Sequence, residues 1–226
     1  MRLLHLSDIH FGKRLDGFER AEAQDAVCSA ALEAADEFGC SLVVVAGDVF
    51  DASNPPADAE ERYYRLLRDL TRDGRRAVVV ISGNHDSPRR LAAPAAILRD
   101  RGVFVFTDAR DTEERSGSSP FPWRWSDGVL RLELPDGPVE VVPLPFLNRE
   151  RLPVPLDAGL SREELETAFA DAVRALLAEK AERLAGDAPA VLVAHQQFEG
   201  CMGDDTERDI SAGGLYSLPS SVVPPG

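Results

Sequence analysis

The sequence predicts an α/β fold built on a parallel sheet, and three observations carry that prediction. Short apolar runs at residues 2–7, 41–46 and 77–81 are separated by long helical stretches, a β-α-β-α-β order that favours parallel pairing with right-handed crossovers. Each run ends on a small residue followed by a metal-capable side chain, as in Val45-Ala46-Gly47-Asp48 and Ile81-Ser82-Gly83-Asn84. In an open α/β sheet that edge is where ligands bind. Further on, runs at 129–134 and 139–144 flank Pro135-Asp136-Gly137-Pro138, a hairpin spacing that predicts a second, antiparallel sheet.

The elements follow in order. After the first strand comes a loop at Phe11-Gly12-Lys13-Arg14, then a helix from about Phe18 to Phe38. Its apolar stripe is read as Ala23, Val27, Ala30, Ala31, Ala34 and Phe38, with Gly39 closing it at the C′ position. The second strand delivers Asp48. Ser53-Asn54-Pro55-Pro56 starts a helix ending near Asp73-Gly74, and the third strand leads to Asn84-His85-Asp86. A short helix is expected over Pro94–Arg101 and a fourth strand over Val103–Phe106. Residues 107–128, with both tryptophans, read as a long irregular excursion. Ser161-Arg162-Glu163-Glu164 is a capping box opening a helix to Leu184, and Ala190–Ala194 is a last strand that delivers His195.

Composition bounds the function. With 226 residues, 44% apolar and 28% charged, the chain can bury one substantial core. No run approaches a membrane span and no signal peptide opens the chain, so a cytoplasmic location is expected. Cys28, Cys40 and Cys201 are widely spaced with no CxxC pair, which argues against a disulfide framework or zinc knuckle. The net charge of −14 weighs against general affinity for nucleic acid, which needs Lys and Arg to displace counterions. Local basic candidates near the strand ends are Lys13-Arg14, Arg89-Arg90 and Arg149 with Arg151; ordinary solvated surface charge is the competing explanation.

The chemistry lies at the strand ends. Asp8 and His10, two apart, point the same way and can grip one ion. Asp48 has two carboxylate oxygens and can bridge two ions roughly 3.5–4 Å apart, with Asn84 and His195 on the second ion. Oxygen and imidazole donors without cysteine suit Mn²⁺, Fe²⁺ or Zn²⁺. His85 is placed beyond the metals as the group that protonates a leaving oxygen, with Asp51 orienting it. Asp86 reads as a cap for the next helix and His5, inside a strand, as structural. Taken singly, each Asp is more often a turn or cap residue than a ligand. Three of the four histidines nevertheless fall at strand ends, and that joint placement argues for a site.

Asp8-Ile9-His10, Gly47-Asp48-Val49-Phe50-Asp51 and Gly83-Asn84-His85-Asp86 resemble, in this order, the first three signatures of the calcineurin-like metallophosphoesterase superfamily. Asn54-Pro55-Pro56, Pro143-Leu144-Pro145-Phe146-Leu147, Glu207-Arg208-Asp209-Ile210 and Gly213-Gly214 are most similar to its SbcD-type DNA repair nucleases. The resemblance covers essentially the whole chain. It implies a four-layer α-β-β-α sandwich with two Mn²⁺ ions held by Asp8, His10, Asp48, Asn84 and His195, and a catalytic pair His85 and Asp51. It also implies exonuclease and endonuclease cleavage of DNA together with an SbcC-like SMC-type ATPase, and a homodimer in the intact protein. Lys13, Arg14 and Arg89 are the candidate DNA contacts.

Two departures stand beside the resemblance. Ala194-His195 replaces the more usual Gly-His, and no Gly-His-x-His motif, capping domain or partner-binding tail is present in residues 1–226. The chain is therefore read as one nuclease domain without its last metal motif, with weak or no activity expected of it alone. A small-molecule phosphodiesterase or phosphatase, and an inactive scaffold docking to a partner or to DNA, are the competing functions.

Overall fold

The computed structural model describes residues 1–118, 120–152, 159–200 and 217–224. The strands are β1 (Leu3–Leu6), β2 (Arg14–Leu15), β3 (Phe18–Glu19), β4 (Leu42–Ala46), β5 (Ala77–Ile81), β6 (Val103–Phe106), β7 (Arg115–Gly117), β8 (Trp123–Ser126), β9 (Val129–Leu134), β10 (Gly137–Leu144) and β11 (Ala190–Ala194). The helices are α1 (Ala21–Glu37), α2 (Ala57–Thr71), α3 (Pro88–Ala92), α4 (Ala95–Arg99) and α5 (Arg162–Glu182). A four-stranded sheet ordered β1-β4-β5-β6 is parallel throughout. A five-stranded sheet ordered β11-β10-β9-β8-β7 is mixed, parallel only between β10 and β11.

Alternation along β4 and β5 explains the layering. Leu42, Val44, Ala46, Ala77, Val79 and Ile81 join one cluster with residues of the second sheet, such as Leu130, Leu132, Val139 and Val141. Their neighbours Val43, Val45, Val78 and Val80 join another with Tyr63, Leu66, Leu67 and Leu70 of α2. Both faces of these strands are therefore buried, which is why they read as continuous β-branched runs. On the far side of the second sheet, Val142 and Leu144 pack with Phe169, Val173 and Leu177 of α5. The expected helix-sheet-sheet-helix order is present.

Three local expectations change. The 107–128 excursion contains β7 and β8, which extend the second sheet. Trp123 and Trp125 alternate with polar residues and pack on Phe104 and Phe106 of β6, with ring centroids at 5.5 and 4.4 Å. The aromatic alternation outweighs the loop-like composition around it. Residues Phe18 and Glu19 form a small hairpin with β2, so α1 starts at Ala21. Its buried face is Gln24, Ala31 and Ala35, while Val27 and Phe38 are exposed. An alanine-rich helix has little hydrophobic contrast, which is why the buried face departs from the expected stripe.

The α5 capping box forms as expected: Ser161 Oγ accepts from Glu164 N, and Glu164 accepts from Ser161 N at 2.8 Å. Near the end of the helix, Lys180 is buried over Gly128, its ammonium 3.5 Å from the Ala109 carbonyl. Burial pushes this amine below the ordinary lysine range. A lysine with a lowered folded pKa weakens the fold while protonated; the cost is complete below the folded pKa and relieved as pH rises towards the unfolded value. Lys180→Met is expected to add about 1–2 kcal/mol at neutral pH and to remove the alkaline rise in stability. Urea unfolding at neutral and alkaline pH measures both.

Candidate metal centre

The loops after β1 and β4 stay zipped together beyond the strands. Asp8 N donates to Gly47 O at 3.2 Å, His10 N to Asp48 O at 3.0 Å and Phe11 N to Val49 O at 2.9 Å. Asp8, His10 and Asp48 all take positive φ, at 55°, 51° and 47°. Side-chain-bearing residues adopt that region at a cost, and the zipped loops over-determine it here. Gln24 of α1, not anticipated from the sequence, adds to this: its buried side-chain amide donates to the carbonyls of Ile9 and His10. A polar residue on the buried face of a helix was the available signal.

Glycine is required where the loops meet. A Cβ on Gly83 would stand 2.0 Å from Asp48 Oδ1 and 2.3 Å from its main-chain nitrogen. One on Gly47, at φ 89°, would stand 2.4 Å from His195 Nδ1. These contacts admit no side chain, so both glycines let a carboxylate and an imidazole close on the sheet edge.

Asp48, only 3% exposed, is the hub. Its Oδ1 accepts from His85 N at 3.0 Å and lies 3.5 Å from His195 Nε2. Oδ2 lies 3.6 Å from His10 Nε2 and 3.8 Å from His85 Nε2. Asp8 Oδ1 is 3.8 Å from His10 Nε2, and Asn84 Oδ1 is 3.0 Å from His195 Nε2. Burial alone would raise the Asp8 carboxyl, but hydrogen bonds from His10 and Ser7 and the charge of His195 hold it below the ordinary value.

The donor set suits divalent cations. His195 Nδ1 lies 2.7 Å from Ala46 O, a pure acceptor, so Nδ1 carries the proton. In the neutral ring Nε2 then presents a lone pair towards Asn84 Oδ1 and Asp48 Oδ1. His10 Nδ1 is buried without a hydrogen-bond partner. Ligand atoms of Asp8, His10 and Asp48 lie within 4.8 Å of one another, as do those of His10, Asp51 and His85. Carboxylate, amide and imidazole donor atoms converging at this edge are stabilised by a bound cation.

His85 stands edge-on to His10, ring centroids 4.9 Å apart. Its Nδ1 is 2.9 Å from the main-chain carbonyl of Asp51; the Asp51 carboxylate faces His10 Nδ1 instead, at 3.5 Å. Asp51 thus contacts the histidine through its backbone, a detail that residue type could not signal. Asp86 does not cap α3. It is 2% exposed and accepts from Gly83 N at 2.8 Å, Phe50 N at 3.0 Å and Val49 N at 3.2 Å, joining the Asp48 and Asn84 loops. Burial pushes its carboxyl up against the three N–H groups that favour the charge.

The resemblance, carried by short signatures, extends to a model of the whole family: the calcineurin-like phosphoesterase model fits residues 1–205. The chain belongs to the calcineurin-like phosphoesterases. It is thus a phosphoesterase by family, and divalent metal binding goes with that membership. It is also 35% identical to the SbcD component of nuclease SbcCD from Rhodobacter capsulatus and 32% identical to that of Escherichia coli K12, over its full length in both cases. To the Bacillus subtilis counterpart it is 29% identical over 99% of its length. The chain spans about half the length of these relatives, 54–55%.

Lys13 and Arg14 sit on the β2–β3 hairpin, where Arg14 donates to Gly17 O at 2.9 Å and pairs with Glu19 at 3.8 Å. Arg89 is exposed at the start of α3. His5 is exposed on β1. Cys201 and the Glu207–Ile210 and Gly213-Gly214 motifs lie outside the described residues. No described helix is long and apolar enough to cross a membrane.

Proposed function

We propose that this chain is the catalytic domain of a metal-dependent DNA nuclease of the SbcD type, hydrolysing phosphodiester bonds at the Asp48 centre. One observation carries the reading: a single buried carboxylate faces His10 and His85, from loops of the parallel sheet, and His195, from the end of β11 in the second sheet. The names of the curated relatives give nuclease activity and an SbcCD assembly; a DNA substrate, an SbcC-like SMC-type ATPase partner, a cytoplasmic location and a homodimer of the intact protein belong to the proposal.

Asp8, His10 and Asp48 are assigned to one Mn²⁺, and Asp48, Asn84 and His195 to a second. When bound, such ions generate hydroxide from water and neutralise charge on the phosphoryl oxygens. His85 does the proton work. With Nδ1–H on the Asp51 carbonyl, its Nε2 is the atom left for the substrate, and an imidazolium there protonates the departing oxygen. Asp48 accepts the His85 main-chain N–H and so holds that loop against the centre.

Purified chain with Mn²⁺ and linear duplex DNA tests the proposal. Weak cleavage is expected of the chain alone, and His85→Ala is expected to lower it by about 10²–10⁴-fold while bound metal, measured by elemental analysis, stays unchanged. Hydrolysis of a small phosphodiester with DNA left intact would replace the nuclease by a small-molecule phosphodiesterase. No turnover and no bound metal would leave a docking scaffold.

A further inference from the structure

Both sheets end on the same side of the sandwich, β6 closing one and β7 the other. Between them and α4 lies a cavity of about 320 Å³, within the range of small-ligand sites. A second hollow of about 410 Å³ shares Arg99, Arg115 and Trp123 with it, so the two form one cleft. The cleft touches none of Asp8, His10, Asp48, Asn84 or His195. It is nevertheless close to them along the sheet: Phe106, in its wall, accepts from Ser82 N at 3.1 Å, two residues before Asn84.

Its chemistry is unusual for a gap left by packing. The Arg99 guanidinium lies 5.3 Å from the Trp123 ring centroid, and among the described residues it has no hydrogen-bond or ion-pair partner. Arg115 stands nearby, already paired with Asp111, which also lines the cleft, and with Glu113 at 3.8 Å. Burial and the Arg115 charge hold Arg99 below the ordinary arginine value, outweighing the carboxylates of Asp100, Asp111 and Glu113. Asp108, which also lines the cleft, is bound to Arg110 at 2.8 Å, so its charge is already engaged. Trp125, 3% exposed, has an indole N–H without an acceptor. A buried donor without a partner and a half-buried cation without a bonded counter-charge are both costs that a ligand relieves.

We propose that this cleft binds a nucleotide, its phosphate on Arg99 and its base against Trp123 with an acceptor towards the Trp125 N–H. The uncompensated Arg99 guanidinium suits a phosphate, an aromatic face suits any base, and the space takes one nucleotide. The choice of nucleotide as occupant rests on the nuclease reading; the cleft's capacity to bind an aromatic anion does not. The same chemistry is offered by a free mononucleotide, such as a cleavage product, and by an unpaired nucleotide of a DNA strand.

The chain has two tryptophans, and both line this cleft, so intrinsic fluorescence reports it directly. The experiment titrates the protein with deoxyadenosine monophosphate, deoxyadenosine, inorganic phosphate and a short oligodeoxyadenylate, all in excess chelator. Chelator silences hydrolysis, so a failure here is distinct from failure of the nuclease assay with Mn²⁺. Saturable quenching by the monophosphate is expected, with deoxyadenosine and phosphate each weaker, and Arg99→Gln is expected to weaken binding by about tenfold. Because Arg99 is partly exposed at the end of α4, glutamine there leaves the fold intact, which circular dichroism checks; Arg99→Lys is expected to retain part of the affinity. Tighter binding of the oligonucleotide than of the monophosphate identifies a strand-holding site, and the reverse identifies a product site. No saturable quenching by either, or equal binding by wild type and Arg99→Gln, overturns the proposal.

Discussion

Asp48→Ala is expected to abolish phosphodiester hydrolysis, with turnover falling by about a thousandfold or more. The size follows from position. One carboxylate is assigned to both ions, lies 3.5–3.8 Å from ring nitrogens of three histidines and accepts the His85 main-chain N–H. Its removal withdraws charge from both proposed cation sites and loosens the loop that carries His85. Asp48→Asn separates the two effects. The amide oxygen still accepts from His85 N, so the fold is expected to hold while metal affinity falls, read by calorimetric titration with Mn²⁺ beside thermal unfolding. Activity within about tenfold of wild type in either variant would remove Asp48 from the centre.

Asp86→Ala is expected to be the most damaging change to stability near the centre, costing about 3–5 kcal/mol. Three buried main-chain N–H groups, of Val49, Phe50 and Gly83, lose their acceptor at once. For a chain of this size that corresponds to a melting temperature lower by roughly 10 °C. Activity should fall with it, because the same three bonds hold the Asp48 loop against the Asn84 loop. Asp86→Asn is expected to recover part of the stability, since its single amide oxygen still accepts. A melting temperature unchanged in Asp86→Ala would show that water replaces the carboxylate.

The sequence was most legible where local rules suffice. Apolar runs ending on glycine placed Asp48 and Asn84 at strand ends, and the capping box placed the start of α5. It was least legible where a polar residue works on a distant backbone. Asp86 precedes a helix and so resembles a cap, yet it binds loops elsewhere in the chain; Gln24 looks like an ordinary helix position until its amide is found on the Ile9 and His10 carbonyls. The Trp123-Arg124-Trp125 alternation did signal a strand, but serine, glycine and proline around it masked the signal.

By itself, then, the sequence determined the α/β alternation, the strand ends that carry ligand-type side chains, and the family signature formed by their order. Hydrophobic period and turn chemistry act over a few residues, so these features are written locally. Only the tertiary structure decided what each group meets. His195 reaches the Ala46 carbonyl across 149 residues, which fixes its proton on Nδ1, and Asp51 meets His85 through its carbonyl and not its carboxylate. Those outcomes depend on two sheets packing face to face and on loops closing over their edge, contacts whose register no local pattern specifies.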